Sequence, residues 1–332
     1  MTDQLPGPDT INKLRTGADQ SFAMLAGMQL DVFTPLKDRP MSLEELAKTL
    51  DVRPLKLRPL LYSLVLARLL EVEDERFSNT QEAERFLVRG NADYLGGMHA
   101  RLALGWEATL KTAESIRTGT PQAKLDFSNA SEDELEFFLR SLQGGAESSG
   151  HELARLVDLS SVLTFADIGG GSGGLAMAIT RECPHIRATV IELPGVAPIT
   201  QRIIDGAGLN GRVEVAVGDV LERLTAGPYD VVALRALIQV LSPDDAVRAL
   251  TNIRPTVKPG GAIFVIGHIV ENSRLSPAVA VGFSLMTLNI YDEGQAYTRQ
   301  EYLDWLTEAG FEDGNITSMS GGLTLVSAKN PV

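Results

Sequence analysis

The ten residues Phe165-Ala-Asp-Ile-Gly-Gly-Gly-Ser-Gly-Gly174 place five glycines behind a short apolar run that carries one aspartate. Glycines at the point where a strand hands over to a helix let the main chain approach a ligand and adopt positive φ. Gly169, Gly171 and Gly174 fit the G-x-G-x-x-G spacing of dinucleotide sites, and a tight turn that holds nothing has the same spelling. Charge separates these readings further. A pyrophosphate would meet the Asp167 carboxylate, like against like. Glu192 ends the next strand-like run, about twenty residues on, where an acid can hold two ribose hydroxyls, a feature that NAD enzymes share. Gly218-Asp219 closes the following run with a third acid, placed to accept from an adenine amino group. Three acids at successive strand ends suit a nucleoside that carries positive charge. S-adenosylmethionine (SAM), with its ammonium and sulfonium, is such a molecule.

The elements that would position these acids are legible as patterns. Strand-like runs at Leu163–Ile168, Ala188–Glu192, Val213–Val217, Val231–Leu234 and Ile263–Ile266 alternate with helical stretches at Gly174–Glu182, Val196–Ala207 and Asp244–Val257. Such alternation implies a parallel sheet covered on both faces. Two last strands, near Asn315–Met319 and Leu323–Ala328, are expected to return antiparallel beside it. The first half reads differently, with helical periodicity over residues 11–120. Ser42-Leu-Glu-Glu45 is a capping box, and Pro54 opens a helix carrying Leu57, Leu60, Leu61, Leu64 and Leu66. Residues 69–77 read as two short strands around an acidic turn, so helix, helix and hairpin make a winged-helix pattern. Its wing holds Glu71, Glu73, Asp74 and Glu75 against Arg76, the wrong sign for DNA, which favours an oligomerisation domain. The apolar helix around Ala23–Phe33 is expected to be covered by a second copy. Connecting helices follow at Tyr94–Thr118 and, from a second capping box at Ser131–Glu134, at Ser131–Leu142. Gly144-Gly145 and Gly150 are expected to loosen the chain. The domains are therefore expected at residues 1–90 (winged helix), 91–150 (connecting helices) and 151–332 (nucleoside-binding domain).

Composition narrows the function classes. The chain has 332 residues, 44% hydrophobic and 22% charged, which is globular. A net charge of −13 disfavours nucleic acid and anionic membranes. One cysteine, Cys183, excludes an intrachain disulfide framework, and no Cys/His cluster has metal-ligand spacing. The start has no basic, then apolar, leader pattern, and the apolar stretches Ala262–Val270 and Ala278–Leu288 are too short or interrupted to span a bilayer. A soluble, cytoplasmic protein without a metal is expected.

In their order, Asp167-Ile-Gly-Gly-Gly-Ser-Gly173, Glu192-Leu-Pro194, Gly218-Asp219, Pro259-Gly-Gly261 and Thr307-Glu-Ala-Gly-Phe311 resemble the O-methyltransferases of caffeic-acid and hydroxyindole type. Residues 46–70 resemble that family's winged-helix dimerisation domain. The resemblance covers nearly the whole chain. It implies an α/β fold whose C-terminal Rossmann-like SAM-binding domain has a mostly parallel seven-stranded sheet, a mainly helical N-terminal dimerisation domain, a homodimer and a pocket between the two domains. It also implies that Asp167 and Gly169 face the methionine end of SAM, Glu192 the ribose, Asp219 the adenine and Arg235 the methionine carboxylate. Gly171 and Val220 complete the cofactor set.

The chain departs from that family at the acceptor. Where the family has a catalytic histidine after the fourth strand, Leu234-Arg-Ala-Leu-Ile-Gln-Val-Leu-Ser242 places Gln239, which accepts no proton at neutral pH. The acids that orient the histidine fall on Gly267 and Ala296, and Tyr297 replaces an arginine. A phenol near pKa 10 needs a base, whereas a thioether carries a free lone pair and a thiol near pKa 8.5 is partly ionised. A small-molecule sulfur acceptor of the methylthio-hydroxybutyrate kind is therefore the leading expectation, with Gln239 and His268 as the groups at the reacting atoms. Two alternatives stand beside it: O- or C-methylation with another base such as His268, and a homologue that binds SAM without methylating. Tyr94, Met98 and Arg101, on one helix, and Met286 and Asn289 are the expected substrate-binding residues.

Overall fold

A computed structural model describes residues 7–91, 94–124 and 130–332, in two compact units, residues 1–107 and 108–332. In the first, α1 (Asp9–Gln29) precedes β1 (Met41–Ser42), α2 (Leu43–Thr49), α3 (Pro54–Leu66), β2 (Leu70–Glu73), β3 (Arg76–Asn79), α4 (Gln81–Leu87) and α5 (His99–Thr109). The capping box forms as expected: Glu45 N–H donates to Ser42 Oγ at 3.2 Å, and Ser42 N–H to Glu45 Oε2 at 2.8 Å. Asp74 and Glu75 turn the β2–β3 hairpin with φ of 47° and 59°, the turn hand that matches strand twist. Phe33, Leu46, Leu61, Leu64 and Phe77 fill the core. This is the winged helix, with sheet order β1-β3-β2.

Two expectations for this half change. Val32 and Phe33 lie beyond α1 and are wholly buried in their own unit's core, so they are not free to cover a second copy. The exposed apolar residues of α1 are Ile11, Leu14 and Phe22, at 69%, 72% and 51%. The helix expected over Tyr94–Thr118 is broken: Tyr94 lies outside it, Gly96–Met98 form a 3-10 turn, and α5 ends before α6 (Thr112–Thr118). Glycines 96 and 97 disfavour a regular helix start, and the Tyr94 ring folds to within 2.6 Å of where a Cβ on Gly96 would stand. Tyr94 and Arg101 therefore do not share a helix face.

The second unit continues with α7 (Glu132–Leu156), β4 (Thr164–Ile168), α8 (Gly174–Glu182), β5 (Arg187–Glu192), α9 (Ala197–Gly206), β6 (Val213–Val217), β7 (Tyr229–Arg235) and α10 (Pro243–Ile253). β8 (Val257–Gly267), α11 (Ala278–Thr287), α12 (Arg299–Glu308), β9 (Glu312–Ser318) and β10 (Thr324–Lys329) complete it. The seven strands run in the order β6-β5-β4-β7-β8-β10-β9. The first five are parallel, and β10 is antiparallel to β8. β9 pairs antiparallel with β10 and so points along the parallel set, a correction to the expectation that both last strands reverse. Strand order reverses between β4 and β7, which places a ligand crevice at the carboxyl ends of these strands.

α7 also differs from expectation. It runs unbroken through Gly144, Gly145 and Gly150, so residue 151 marks no break in the chain. A Cβ on Gly150 would stand 2.6 Å from Ala178 Cβ and 2.8 Å from the Leu175 carbonyl. On the facing helix a Cβ on Gly174 would stand 2.9 Å from Ala146 Cβ. The glycines bring α7 onto α8, and this packing outweighs their poor helix propensity.

Candidate cofactor site

Five side chains stand in a row along the carboxyl edge of the sheet. Asp219 follows β6, Glu192 ends β5, Asp167 leads into the turn after β4, Arg235 ends β7 and His268 follows β8. Adjacent strands lie about 4.8 Å apart, so the row spans roughly 19 Å.

The glycine turn at its centre is tied down from several sides. Gly169, Gly171 and Gly173 have φ of 64°, 57° and 74°. Gly169 N–H donates to the Ile191 carbonyl at 2.8 Å, Gly171 N–H to Glu192 Oε1 at 2.7 Å, and Thr200 Oγ1 to the Gly171 carbonyl at 2.6 Å. Gly170 of the glycine run and Thr200 of α9 both take part. A Cβ on Gly170 would stand 2.6–2.9 Å from the Asp167 carboxyl group, so the turn lies directly over that carboxylate. No local pattern marks Thr200, because its role depends on α9 returning beside the turn.

Asp167 has no exposed surface. Its Oδ2 accepts from Ala176 N–H, in the first turn of α8, at 3.2 Å, while Oδ1 accepts no hydrogen bond among the described residues. Burial pushes its pKa up to about 7; the Ala176 N–H and Arg235 oppose the shift and Glu192 adds to it. Glu192 is raised too, first by burial, against hydrogen bonds from Gly171 and Leu193 N–H. Two buried carboxylates and one unsatisfied oxygen leave a site short of positive charge. An ammonium-bearing nucleoside fits it. Asp167 lies beneath the turn, and Glu192 keeps lone pairs for hydroxyl donors. Asp219 is half-buried, with Oδ1 accepting from Leu221 N–H at 2.9 Å. The Val220 side chain is 8% exposed and packs with Ile191 and Leu224, and its carbonyl accepts from Asn252 Nδ2 at 3.0 Å. Arg235 Nε donates to Ser149 Oγ of α7 at 2.9 Å.

The O-methyltransferase domain family matches residues 117–312, and the O-methyltransferase dimerisation domain matches residues 13–89. The chain belongs to the O-methyltransferase family. It is 31% identical to the tetracenomycin polyketide synthesis 8-O-methyl transferase TcmO of Streptomyces glaucescens, over 98% of this chain and 97% of TcmO. It is 30% identical to the N,N-dimethyltransferase OxyT of Streptomyces rimosus, over 96% and 95% of the two chains. Among solved structures, PigF with SAH is similar at a TM-score of 0.82 and 25% identity, covering 98% of this chain and all of that one. The protein is thus a SAM-dependent methyltransferase. Among its described residues no helix is long and apolar enough to cross a membrane, and no group of three or more acids, histidines or cysteines is arranged to hold a metal.

The residues expected near the acceptor of this methyltransferase fall less neatly. Gln239 is 3% exposed, and its Oε1 accepts from His268 N–H at 2.8 Å. Its amide oxygen is thus taken by the main chain rather than offered to a reacting atom. Asn289 has no exposed surface: Oδ1 accepts from Ser115 Oγ at 2.7 Å, and Nδ2 donates to Thr112 Oγ1 at 3.0 Å and the Leu285 carbonyl at 2.9 Å. It braces α6 against α11 and is not presented to a substrate. Met286 is half-buried on α11. Met98 packs on the winged-helix core, Tyr94 is half-buried and Arg101 is exposed.

Proposed function

We propose that this methyltransferase acts as a homodimer on a hydroxyl group of a small aromatic, polyketide-like molecule. The observation that carries the acceptor class is the near full-length likeness to TcmO, an 8-O-methyl transferase of a polyketide. The sulfur acceptor expected from Gln239 finds no support among the relatives named above, which act on oxygen and nitrogen, and the Gln239 oxygen is engaged by the His268 main chain. SAM, when bound, supplies an electrophilic methyl group. The protein's own part is to hold the acceptor in line with that methyl and to exclude water, by proximity and desolvation.

Incubation with methyl-labelled SAM and separate pools of hydroxyanthraquinones, amines, thiols and thioethers tests the reading. Label is expected on an anthraquinone oxygen, with S-adenosylhomocysteine (SAH) formed in equal amount. Label found on thiols or thioethers alone would overturn it.

The homodimer rests on the dimerisation domain and on the apolar side chains that α1 leaves in solvent. Light scattering is expected to give twice the monomer mass at micromolar concentration. Ile11→Glu combined with Leu14→Glu should shift the protein to monomer, since an unpaired charge buried at an interface costs several kcal/mol (about 2–5). A wild-type monomer would count against the assembly.

A further inference from the structure

Cofactor binding leaves the last group of the row unexplained. His268 follows the end of β8, is half-buried, and stacks its ring on Phe283 of α11, with centroids 4.6 Å apart and 34° between planes. Its main-chain N–H is held by Gln239 Oε1 at 2.8 Å. The same oxygen lies 2.5 Å from where a Cβ on Gly267 would stand, so a side chain at 267 and this hydrogen bond exclude one another. Two strand spacings, roughly 10 Å, separate the main chain at His268 from the β4 turn, within reach of an acceptor lying over β7.

We propose that His268 is the base that receives the acceptor proton, and that Gln239 is the positioning residue that fixes its main chain. The inference rests on the hydroxyl acceptor proposed above. In the step, the acceptor oxygen bonds to the methyl carbon as the methyl–sulfur bond breaks and its electron pair stays on sulfur. The hydroxyl proton passes to the imidazole and then to solvent. No oxidant or reductant is required.

The other titratable groups near this contact stay out of the way. The Tyr302 hydroxyl lies 3.8 Å from the same Cβ position on Gly267, and burial pushes its pKa far up, with Tyr297 and Glu301 adding. Tyr297 donates to the Leu241 carbonyl and is pushed up to about 12, first by burial, then by Glu293 and Glu301, with Arg274 opposing. α11, which supplies the stacking ring, carries no titratable residue. Arg235, at the end of the neighbouring β7 and in register with Ile266, turns its Nε to Ser149 of α7, and Asp167 lies one strand further on, in β4.

The test is kcat against pH on a hydroxyanthraquinone, with alizarin as the reference probe, for wild type, His268→Asn and Gln239→Leu. SAH affinity by calorimetry serves as the control for folding and for the cofactor site. Wild type should show an acid limb of imidazole type. His268→Asn should lose that limb and about a hundredfold or more in kcat, with SAH affinity kept. Gln239→Leu should keep a limb but lose roughly tenfold in kcat with little change in KM, because a misplaced base slows transfer without weakening binding. A His268→Asn enzyme within about threefold of wild type, with its limb intact, overturns the base and leaves the acceptor reading standing. A Gln239→Leu enzyme with unchanged kcat and limb overturns the positioning role. Wild-type protein that methylates no hydroxyl in the panel removes the acceptor reading, and with it the need for a base.

Discussion

Replacing Asp167 with asparagine is expected to weaken SAM binding by roughly thirtyfold or more above neutral pH, at least about 2 kcal/mol, by removing a buried charge that faces a cation. The wild-type protein should also bind SAM in a pH-dependent way. Asp167 in the free protein has its pKa raised to about 7, chiefly by burial. A cation binds the ionised form, so affinity should be flat above neutrality and fall by up to about tenfold per unit of pH below it. The asparagine variant should lose that slope. Stability runs the other way. A carboxyl group whose folded pKa is raised contributes stability that is fully present below the unfolded value, near 3.9, and lost as pH rises through the folded one. The cofactor-free protein is therefore destabilised by ionised Asp167 above neutrality, on the order of 4 kcal/mol for a fully buried group. Asp167→Asn should accordingly be more stable than wild type at alkaline pH while binding SAM worse. Calorimetric titration at several pH values and urea unfolding read the two effects separately. A wild-type affinity that does not change through neutrality would show that Asp167 carries no charge linked to the ligand.

How far such a site is legible from sequence depends on where each side chain finds its partner. Asp167, Glu192 and Asp219 could be placed because each sits at the end of a strand-like run, and strand order then aligns them without knowledge of any contact. The capping boxes at Ser42 and Ser131 were legible for the same reason, since both partners lie within one turn. Gln239 was not. Its partner is the main-chain N–H of His268, 29 residues away, and a main-chain partner leaves no trace in residue types. Asn289 shows the same limit, because the hydroxyls that bond its amide lie 174 and 177 residues away. The apolar run Ala23–Phe33 mixed two environments, the end of α1 and a buried loop, which periodicity alone cannot separate.

The glycines of α7 serve close packing rather than a loose joint, and they carry the second large expected effect. Gly150→Leu should destabilise the second unit by about 3 kcal/mol or more, since overpacking against backbone leaves no rotamer that avoids the clash. Its Cβ would stand 2.8 Å from the Leu175 carbonyl, which cannot move without shifting α8. The first turn of α8 supplies the Ala176 N–H that holds Asp167, and Gly173 at its cap belongs to the ligand turn. The damage should therefore reach the cofactor: where the variant still folds, its SAH affinity should fall along with its stability. Gly144 provides the internal comparison, because it lies in the same helix with nothing within 4 Å of a built Cβ. Gly144→Ala should stabilise by roughly 0.5–1 kcal/mol through helix propensity and leave SAH binding unchanged. Urea unfolding and calorimetry on the pair separate propensity from packing. Equal effects at the two positions would mean that the α7–α8 contact does not set the turn. Opposite signs in stability, with SAH affinity falling only for the variant at 150, would tie this glycine to the ligand site through one helix packed on another.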